Sequence, residues 1–365
     1  MKVGVFHRSF DEFGGGETLA SHLAIALNTQ VRTIVKDQKK NKLGFIDLSS
    51  NIPFSAKLLR KFRSLDYLVW SNVDIRDFGD FDMVITSGFT ARSLITPDDV
   101  IHVHYNHSPA RWIYDLWHYR RKSSGWVKQN ILLPCASEFF RVWDAAVDKR
   151  VDYYISNSPI TRRRLWKYLK RDSVVLYPPV EINKYRTKEA EDFYLFIGRL
   201  WEEKRPEEAI RACIKANKTL VVIGSGYLEA ELKKKHGNNP RVDIRGFVSE
   251  KEKIDLLSRC RAVIYPCMAE DFGIVPIEAF ASGKPIICSD DGFPPLIVGN
   301  GRGIATDCSN PDLIAEAIYK LEKSDYDPEP ILSYAKQFDF SAFKSRLVHY
   351  LSEFHEDFWR KNGHD

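Results

Sequence analysis

Two glutamates eight positions apart, Glu270 and Glu278, mark a stretch of the chain that is dense in groups able to bind a ligand. Gly273 lets the backbone approach a ligand closely, and Pro276 favours the first position of a helix. The backbone N–H groups of residues 273–275 would then lack intrahelical partners and could hold a phosphate. Both carboxylates could accept hydrogen bonds from sugar hydroxyls. The stretch therefore predicts a site for a phosphorylated sugar.

The same two glutamates also have an ordinary structural interpretation. Glu278 would fall in the first turn of the predicted helix, where the helix macrodipole favours any carboxylate. Glu270 could be a solvated acid in a surface loop. The pair alone does not decide between a site and a helix start, so the decision rests on the rest of the chain.

Two cations, Arg199 and Lys204, follow a strand predicted over residues 194–197. A strand edge and the start of the next helix are positions from which cations can converge on a diphosphate. The next predicted strand ends at Gly224 and Ser225, in a turn where the backbone can approach a ligand. Surface cations are usually just solvated, but their occurrence at successive strand ends favours an anion site.

The N-terminal half offers a glycine turn and a histidine. Gly14, Gly15 and Gly16 stand between a predicted strand and an amphipathic helix predicted to begin at Glu17. They lack the full Gly-x-Gly-x-x-Gly dinucleotide fingerprint, which leaves a flexible turn or a loop facing a ligand or acceptor. His107 follows another predicted strand, at the sheet edge where open α/β folds bind ligands. It is therefore a candidate for contacting a substrate.

Two patterns that could suggest a metal site have simpler explanations. His102, His104 and His107 lie close together in the sequence, but His102 and His104 run into the predicted interior of a sheet. Asp80 and Asp82 match an Asp-x-Asp pattern, yet they stand immediately before a predicted strand and fit a polar strand entry. The six cysteines show no Cys-x-x-Cys pair, so we expect reduced thiols and no metal site.

Strands and helices alternate along the 365 residues, a pattern typical of parallel sheets covered by helices. Two prolines at 178–179 interrupt the alternation and predict a domain boundary there. We expect domains over residues 1–180 and 181–338, with a terminal segment at 339–365 that carries an apolar stripe at helical spacing. In the second domain, helices are predicted over residues 206–216, 227–236, 250–259, 276–282 and 310–322.

Charge is distributed unevenly along the chain, although the net value is only +5. Residues 1–185 hold 28 Lys and Arg against 19 Asp and Glu, whereas the remainder holds 26 against 30. The basic run at 162–171 could meet an anionic membrane or a nucleic acid, or could be a solvated helix face. No signal-peptide pattern or membrane-length apolar run is found, so a cytoplasmic location is expected.

In combination, these motifs resemble the retaining glycosyltransferases of family 4, which have the GT-B fold. The matching residues lie between positions 14 and 283, in the order of the family. They are Gly14-Gly15-Gly16-Glu17, His107-Ser108-Pro109-Ala110-Arg111, Asn157-Ser158, Gly198-Arg199 with Lys204, Gly224-Ser225-Gly226, and Glu270-x7-Glu278 followed by Gly283. The carboxylate pair with its two cations is the specific part of this resemblance, and the glycine turns are less specific.

The resemblance implies an α/β architecture of two Rossmann-like doubly wound domains, with a cleft between them and a C-terminal helix that crosses back to the N-terminal domain. It also implies roles for individual residues. His107 and Glu270 would contact the reacting sugar, and Gly14, Gly15, Gly16 and Arg111 would line the acceptor side. The donor would be bound by Arg199, Lys204, Gly224, Ser225, Val248, Phe272, Gly273, Ile274, Val275 and Glu278.

The segment from His107 to Asp115 is similar to one common in transferases that use GDP-mannose. The resemblance thus implies transfer of mannose from GDP-mannose to a glycan or lipid-linked acceptor, with retention, without a metal or other cofactor, and possible contact with an anionic membrane. A UDP-sugar donor is the main alternative. An epimerase of the same fold is disfavoured by the paired glutamates, and a nucleic-acid-binding scaffold would not need them together with both cations.

Overall fold

The computed structural model describes residues 1–10, 14–34, 45–48, 66–117, 127–324 and 326–363. The chain divides into two compact units. Met1–Tyr177 together with Lys344–Asp365 form the first, here called the N-terminal unit, and Pro178–Phe343 form the second, the C-terminal unit. Each unit is built around one parallel sheet, as the alternating pattern predicts.

The sheet of the N-terminal unit is built from the strands β1 (Val3–His7), β2 (Val31–Thr33), β3 (Ile46–Asp47), β4 (Met83–Ser87), β5 (Ile101–Asn106), β6 (Tyr153–Ser156) and β7 (Val174–Val175). Their order in the sheet is β3-β2-β1-β4-β5-β6-β7. Its order reverses between β1 and β4, where His7 pairs with Ser87 at the carboxyl ends of the two strands. All five residues of β4 and all six of β5 are buried, as expected for strands covered on both faces.

The described helices of this unit include α1 (Gly15–Ala26), α2 (Asp66–Trp70), α3 (Leu133–Asp148) and α4 (Pro159–Leu169). Helix α1 starts two residues before the predicted start at Glu17, because Gly14 is the N-cap. The backbone N–H of Gly14 donates a 3.0 Å hydrogen bond to the Glu17 side chain. Gly15 and Gly16 therefore belong to the first helical turn and not to a flexible loop.

The sheet of the C-terminal unit is built from the strands β8 (Phe193–Ile197), β9 (Thr219–Ile223), β10 (Val242–Gly246), β11 (Ala262–Tyr265), β12 (Ile286–Ser289) and β13 (Gly303–Thr306). Their order in the sheet is β10-β9-β8-β11-β12-β13, which reverses between β8 and β11. Its helices include α5 (Pro206–Lys215), α6 (Glu229–His236), α7 (Glu250–Arg259), α8 (Ile274–Ala281), α9 (Pro311–Glu322) and α10 (Pro328–Ala335). Helix α10 was not expected from the sequence pattern.

The start of helix α8 corrects one prediction. The N-cap is Gly273, whose φ of 82° suits glycine, so Pro276 occupies the third helical position instead of the first. Proline is tolerated anywhere in the first turn, where its missing N–H has no intrahelical partner to lose. Glu278 consequently lies in the second turn, and the first turn holds no acidic residue.

The terminal helix α11 (Phe340–Lys361) ends within the N-terminal unit. Its apolar stripe is buried there: Phe354 stacks on Tyr153 at 4.5 Å between ring centroids, and the Tyr153 hydroxyl donates a 2.8 Å hydrogen bond to Asp357. The predicted return of this helix to the N-terminal unit is therefore confirmed. Across the described part of the chain, no helix has both the length and the apolar character that crossing a bilayer requires.

Candidate functional site

Two loops meet at the point where the strand order of the C-terminal unit reverses. One follows β8 and the other follows β11, and the backbone N–H of Met268 donates a 2.9 Å hydrogen bond to the Glu203 carbonyl between them. Open α/β sheets bind ligands outside the carboxyl ends of strands at such a reversal. The fold therefore brings Lys204 and Glu270, which are far apart in the sequence, to one location.

Glu270 is held by two donors at this location. Lys204 Nζ lies 2.6 Å from Glu270 Oε2, and the Tyr265 hydroxyl donates to the same oxygen at 2.7 Å. Burial would raise the pKa of Glu270, but the Lys204 ammonium and the hydrogen bonds outweigh burial and lower it. Burial in turn would lower the pKa of Lys204, but Glu270 raises it. Both groups are therefore charged at neutral pH.

This ion pair changes the role expected for Lys204. Its charge is already balanced by Glu270, so the lysine fixes the position of the carboxylate as well as contributing to the local potential. The Arg199 guanidinium, by contrast, is exposed and lies 4.1 Å from the centre of the Trp201 ring. Arg199 is therefore the more accessible cation for an incoming anion.

The start of helix α8 lies on the same loop as Glu270. No side chain among the described residues caps this helix, and the N–H groups of Ile274 and Val275 lie in its first turn, where they have no intrahelical partners. The Phe272 ring is buried against Phe293 at 5.2 Å, which leaves only its backbone for a ligand. An uncapped helix N-terminus beside Gly273 is the anion-binding arrangement that the sequence predicts.

Glu278 lies one turn further along α8 and is 7% exposed. Its Oε1 accepts hydrogen bonds from the Tyr185 hydroxyl and from Lys253 Nζ, both at 2.8 Å. These two partners were missed by sequence reasoning because they lie 93 and 25 positions away, outside any motif. A carboxylate with this support is fixed in orientation, which suits it to accept hydrogen bonds from a ligand's hydroxyls.

The glycine turn after β9 packs against the end of β8. A Cβ atom on Gly224 would lie 1.9 Å from the Gly198 carbonyl oxygen, and the φ of Gly224 is 125°. The Ser225 carbonyl accepts a 2.9 Å hydrogen bond from the Leu200 N–H. The glycine thus serves a backbone-to-backbone contact that shapes the loop carrying Arg199. Val248 is partly buried in the loop after β10.

A second polar group surrounds the strand-order reversal of the N-terminal unit. His107 Nε2 lies 2.7 Å from Ser87 Oγ, and burial together with the nearby His7 lowers the pKa of His107 to about 3. His7 Nε2 lies 3.6 Å from Glu17 Oε1, in the first helical turn next to Gly16. His107 is therefore a neutral imidazole at neutral pH, held beside the glycine-rich start of α1.

Three buried polar atoms near His107 have no hydrogen-bond partner among the described residues. They are His7 Nδ1, Asn106 Nδ2 and Asn157 Oδ1, on residues that are 4–6% exposed. Asn157 also donates from Nδ2 to the His107 carbonyl at 2.8 Å, which joins these atoms to one location. Buried polar groups are normally paired, so this edge is suited to receive a hydroxylated ligand. His7 and Asn106 are the last residues of β1 and β5, and this position at a strand end is the one sequence signal that could have identified them as site residues.

Arg111 is not directed to an open surface. It is 9% exposed, and its Nε and one terminal nitrogen donate to Asp115 at 2.9 and 2.7 Å. His102 and His104 are buried and share the Thr86 hydroxyl at 2.9 Å, as expected for the sheet interior. Within the described ranges, no group of three or more His, Cys, Asp or Glu could hold a metal ion.

Residues 179–338, which lie in the C-terminal unit, match the sequence model of the family described as glycosyl transferases group 1. The match covers most of the C-terminal unit and less than half of the chain. The match includes the loops after β8, β9 and β11, and thus all the candidate donor-side residues of this unit.

Parts of the chain are also similar to two mannosyltransferases. The O-antigen chain mannosyltransferase RfbU of Salmonella typhimurium is 29% identical over 49% of this chain and 52% of its own. The GDP-mannose-dependent alpha-(1-6)-phosphatidylinositol dimannoside mannosyltransferase of Mycobacterium tuberculosis is 30% identical over 33% of each chain. The chain spans about a third to a half of the length of the curated relatives it matches.

A solved structure extends the comparison to both units. Anabaena Alr3699/HepE in complex with UDP and glucose has a TM-score of 0.70 and 16% identity, and the match covers 96% of this chain and 99% of that one. The predicted fold class is confirmed: the chain consists of two Rossmann-like α/β domains of the GT-B type.

Proposed function

We propose that this chain is a retaining glycosyltransferase that moves a hexose from a nucleotide-diphosphate sugar to a glycan or lipid-linked acceptor. The observation that carries the proposal is the Lys204–Glu270 ion pair beside the uncapped start of helix α8, at the strand-order reversal of a glycosyl transferases group 1 domain. A cation, a carboxylate of fixed orientation and backbone N–H groups without intrahelical partners are the groups that a binding site for a diphosphate sugar needs.

The diphosphate would bind between Arg199 and the first turn of α8. Arg199 is accessible, and the N–H groups of Ile274 and Val275 are uncapped. Glu270 would accept hydrogen bonds from the sugar hydroxyls, because Lys204 and Tyr265 hold it ionised and in place. Glu278, one turn deeper, would accept hydrogen bonds from the ribose hydroxyls, and Val248 would lie against the base.

The chemistry follows from the charge that develops during reaction. Breaking the bond between the anomeric carbon and the diphosphate oxygen places negative charge on the departing diphosphate. Arg199, Lys204 and the helix N-terminus stabilise that charge, so the proposed reaction requires no metal. Retention follows if the acceptor hydroxyl attacks from the face of the leaving group, with the departing phosphate taking its proton.

The acceptor would bind at the polar edge of the N-terminal unit. His107, uncharged at neutral pH, can exchange hydrogen bonds with a hydroxyl without introducing a competing positive charge. His7, Asn106 and Asn157 offer further buried polar atoms without partners among the described residues. Gly15 and Gly16, in the first turn of α1, contribute no side chain that would obstruct a ligand there.

Mannose from GDP-mannose is the donor that we favour. The segment from His107 to Asp115 supports this choice, as do the two mannosyltransferases among the relatives. A UDP-sugar is the alternative, because the structurally similar HepE binds UDP. An epimerase of the same fold would convert the donor without an acceptor, and a nucleic-acid-binding scaffold would bind DNA or RNA with strong salt dependence.

Release of the nucleoside diphosphate tests the proposal. The chain is incubated with GDP-mannose or UDP-glucose, EDTA and a glycolipid extract as a source of acceptors. We expect release by the wild-type chain, and a decrease of at least about a hundredfold in Glu270→Ala. Glu229→Ala, which changes a surface glutamate of α6, should behave as wild type. No release from either donor, or wild-type turnover in Glu270→Ala, would contradict the proposal.

A further inference from the structure

A cavity of about 300 Å³ lies at the opposite end of the C-terminal sheet from the candidate donor site. Part of its wall comes from residues just before strands, including Arg261 before β11 and Lys284 before β12, and the rest comes from the end of α9 and the segment after it. The candidate donor residues follow the strands and lie at the carboxyl edge. The size is at the lower end of the ~300–1,000 Å³ range of small-molecule pockets.

Lys284 is the unusual residue in this cavity. It is 4% exposed, and its Nζ donates a 2.9 Å hydrogen bond to the Lys188 carbonyl. An ammonium group has three N–H donors, and this is the one contact that the structure gives it among the described residues. Burial and the neighbouring Arg261 lower the pKa of Lys284. A buried ammonium normally has an anionic partner.

The carboxylates near the other cations of the cavity are already paired and do not serve as that partner. Arg261 lies 3.4 Å from Glu322, but the same glutamate also accepts hydrogen bonds from Tyr194 and Lys218. Lys188 pairs through its own Nζ with Asp255 at 2.8 Å. The described residues that line the cavity include three cations and no carboxylate, so its lining favours an anion.

Hydroxyl groups complete the lining. Thr187, Ser324 and Tyr326 all contribute to it, and Thr187 Oγ1 lies 2.8 Å from the position that a Cβ atom would take on Gly283. Hydroxyls can donate to the oxygens of an anion that a lysine and an arginine have attracted. Cations and hydroxyls around a small cavity are the chemistry that recognises a phosphate group.

We propose that this cavity is a second anion site that binds a small phosphate monoester, with Lys284 and Arg261 as its cationic contacts. The site is separate from the donor site, because it lies at the amino edge of the sheet and shares no residue with the loops after β8 and β11. It does not depend on the proposed transferase activity.

Thermal unfolding at constant ionic strength tests the site, with inorganic phosphate or glycerol 3-phosphate replacing chloride. We expect a saturable rise in Tm for the wild-type chain and for Arg199→Gln, in which the accessible cation of the donor site is neutralised. In Lys284→Met the apparent affinity should fall by at least about tenfold. Lys323→Met removes an exposed lysine nearby and should leave the affinity unchanged.

Three results would overturn the proposal: no rise beyond the chloride control, wild-type affinity in Lys284→Met, or loss of binding in Arg199→Gln, which would place the phosphate at the donor site. If Lys284→Met does not fold, Arg261→Gln replaces it, since that side chain is 38% exposed. The same tenfold loss is then expected, and unchanged affinity overturns the site. A parallel titration with GDP reports on the donor site separately.

Discussion

Among individual residues, the candidate donor site depends most on the ion pair between Lys204 and Glu270. The two side chains are only 19% and 17% exposed, so removing one charge leaves the other poorly solvated. We expect Lys204→Met and Glu270→Gln each to lower the free energy of unfolding by about 3 kcal/mol. The double variant should lose less than the two single losses combined, by about 1–3 kcal/mol. Urea unfolding of the four chains measures this coupling.

The pair Lys233–Glu229 on α6 provides the matched control. Its side chains are 47% and 27% exposed, and an exposed pair one helical turn apart contributes about 0.3–0.5 kcal/mol. The Lys204 and Glu270 variants could instead each lose only as much free energy of unfolding as the control variants, with the double variant losing the sum. That result would show that the donor-side pair is an ordinary surface contact.

The buried histidines predict how stability depends on pH. Burial lowers the pKa of His102 to about 4 and that of His107 to about 3, whereas an unfolded histidine titrates near 6.5. The unfolded chain therefore binds more protons below that pH, and the free energy of unfolding should fall as the pH decreases. The limiting slope is about 1.4 kcal/mol per pH unit for each histidine.

Urea unfolding between pH 7.5 and 5 checks this expectation. His107→Gln should reduce the slope, because one of the three buried histidines with a lowered pKa, His102, His104 and His107, no longer titrates. His349→Gln, which changes a histidine that is 66% exposed, should leave it unchanged. A wild-type slope in His107→Gln would show that His107 is not held neutral by the fold.

For individual side chains, the sequence predicted the residues that belong to short motifs, and it could not predict their hydrogen-bond partners. Glu270 and Lys204 stand at strand ends, where the alternation of elements places them. Tyr185 and Lys253 reach Glu278 only because the fold joins distant segments. No spacing rule in the sequence connects them.

Among the elements, the turn after β9 makes the sharpest prediction. A Cβ atom on Gly224 would collide with the Gly198 carbonyl, and its φ of 125° is unfavourable for any other residue. We expect Gly224→Ala to lower the free energy of unfolding by at least about 3 kcal/mol, through overpacking and backbone strain. Chemical denaturation measures the loss.

Gly301→Ala is the control for backbone strain alone. Gly301 has a φ of 78°, and a Cβ atom there would meet nothing within 4 Å. Its loss should be about 1–2 kcal/mol, the usual cost of the left-handed region. Equal losses in the two variants would mean that contact with Gly198 does not determine the turn.

Helix α4 shows how a basic run in the sequence is divided by the fold. Arg164 is 9% exposed and therefore not available to a membrane, whereas Arg162 is 50% exposed and pairs with Asp172 at 2.8 Å. Arg163 and Lys167 are exposed beside Trp166. These groups, together with Lys170, which is exposed at the end of α4, can serve the membrane contact that the basic run suggested.

Co-sedimentation with anionic vesicles tests that contact. Each of Arg163→Gln and Lys167→Gln should weaken binding about fivefold, because a cation near an anionic surface contributes about 1 kcal/mol. Arg211→Gln, on an exposed position of α5 in the other unit, is the matched control. Unchanged binding in both α4 variants would exclude this helix as the contact surface.

The start of α8 illustrates why element boundaries are harder to predict than elements. Pro276 indicated a helix start correctly to within one turn, but proline is compatible with each position of that turn. The conformation of Gly273 fixed the actual start. The consequence is that two N–H groups, on Ile274 and Val275, precede the proline.

For the whole molecule, the alternation of strands and helices was sufficient to predict two parallel sheets. The strand-order reversals, which bring the site residues together, became known only from the structure. The terminal helix was predictable from its apolar stripe, since such a stripe needs a surface to cover. The identity of the sugar and of its acceptor depends on side-chain detail that neither pattern contains.

Calorimetric titration of GDP and UDP in the presence of EDTA tests the central claim most directly. The wild-type chain should bind at least one nucleotide with a saturable heat. Arg199→Gln should raise its Kd about 10- to 100-fold, and Arg163→Gln should leave it unchanged. Absence of binding by both nucleotides, or the same Kd in Arg199→Gln as in wild type, would contradict a diphosphate site at the strand-order reversal of the C-terminal unit.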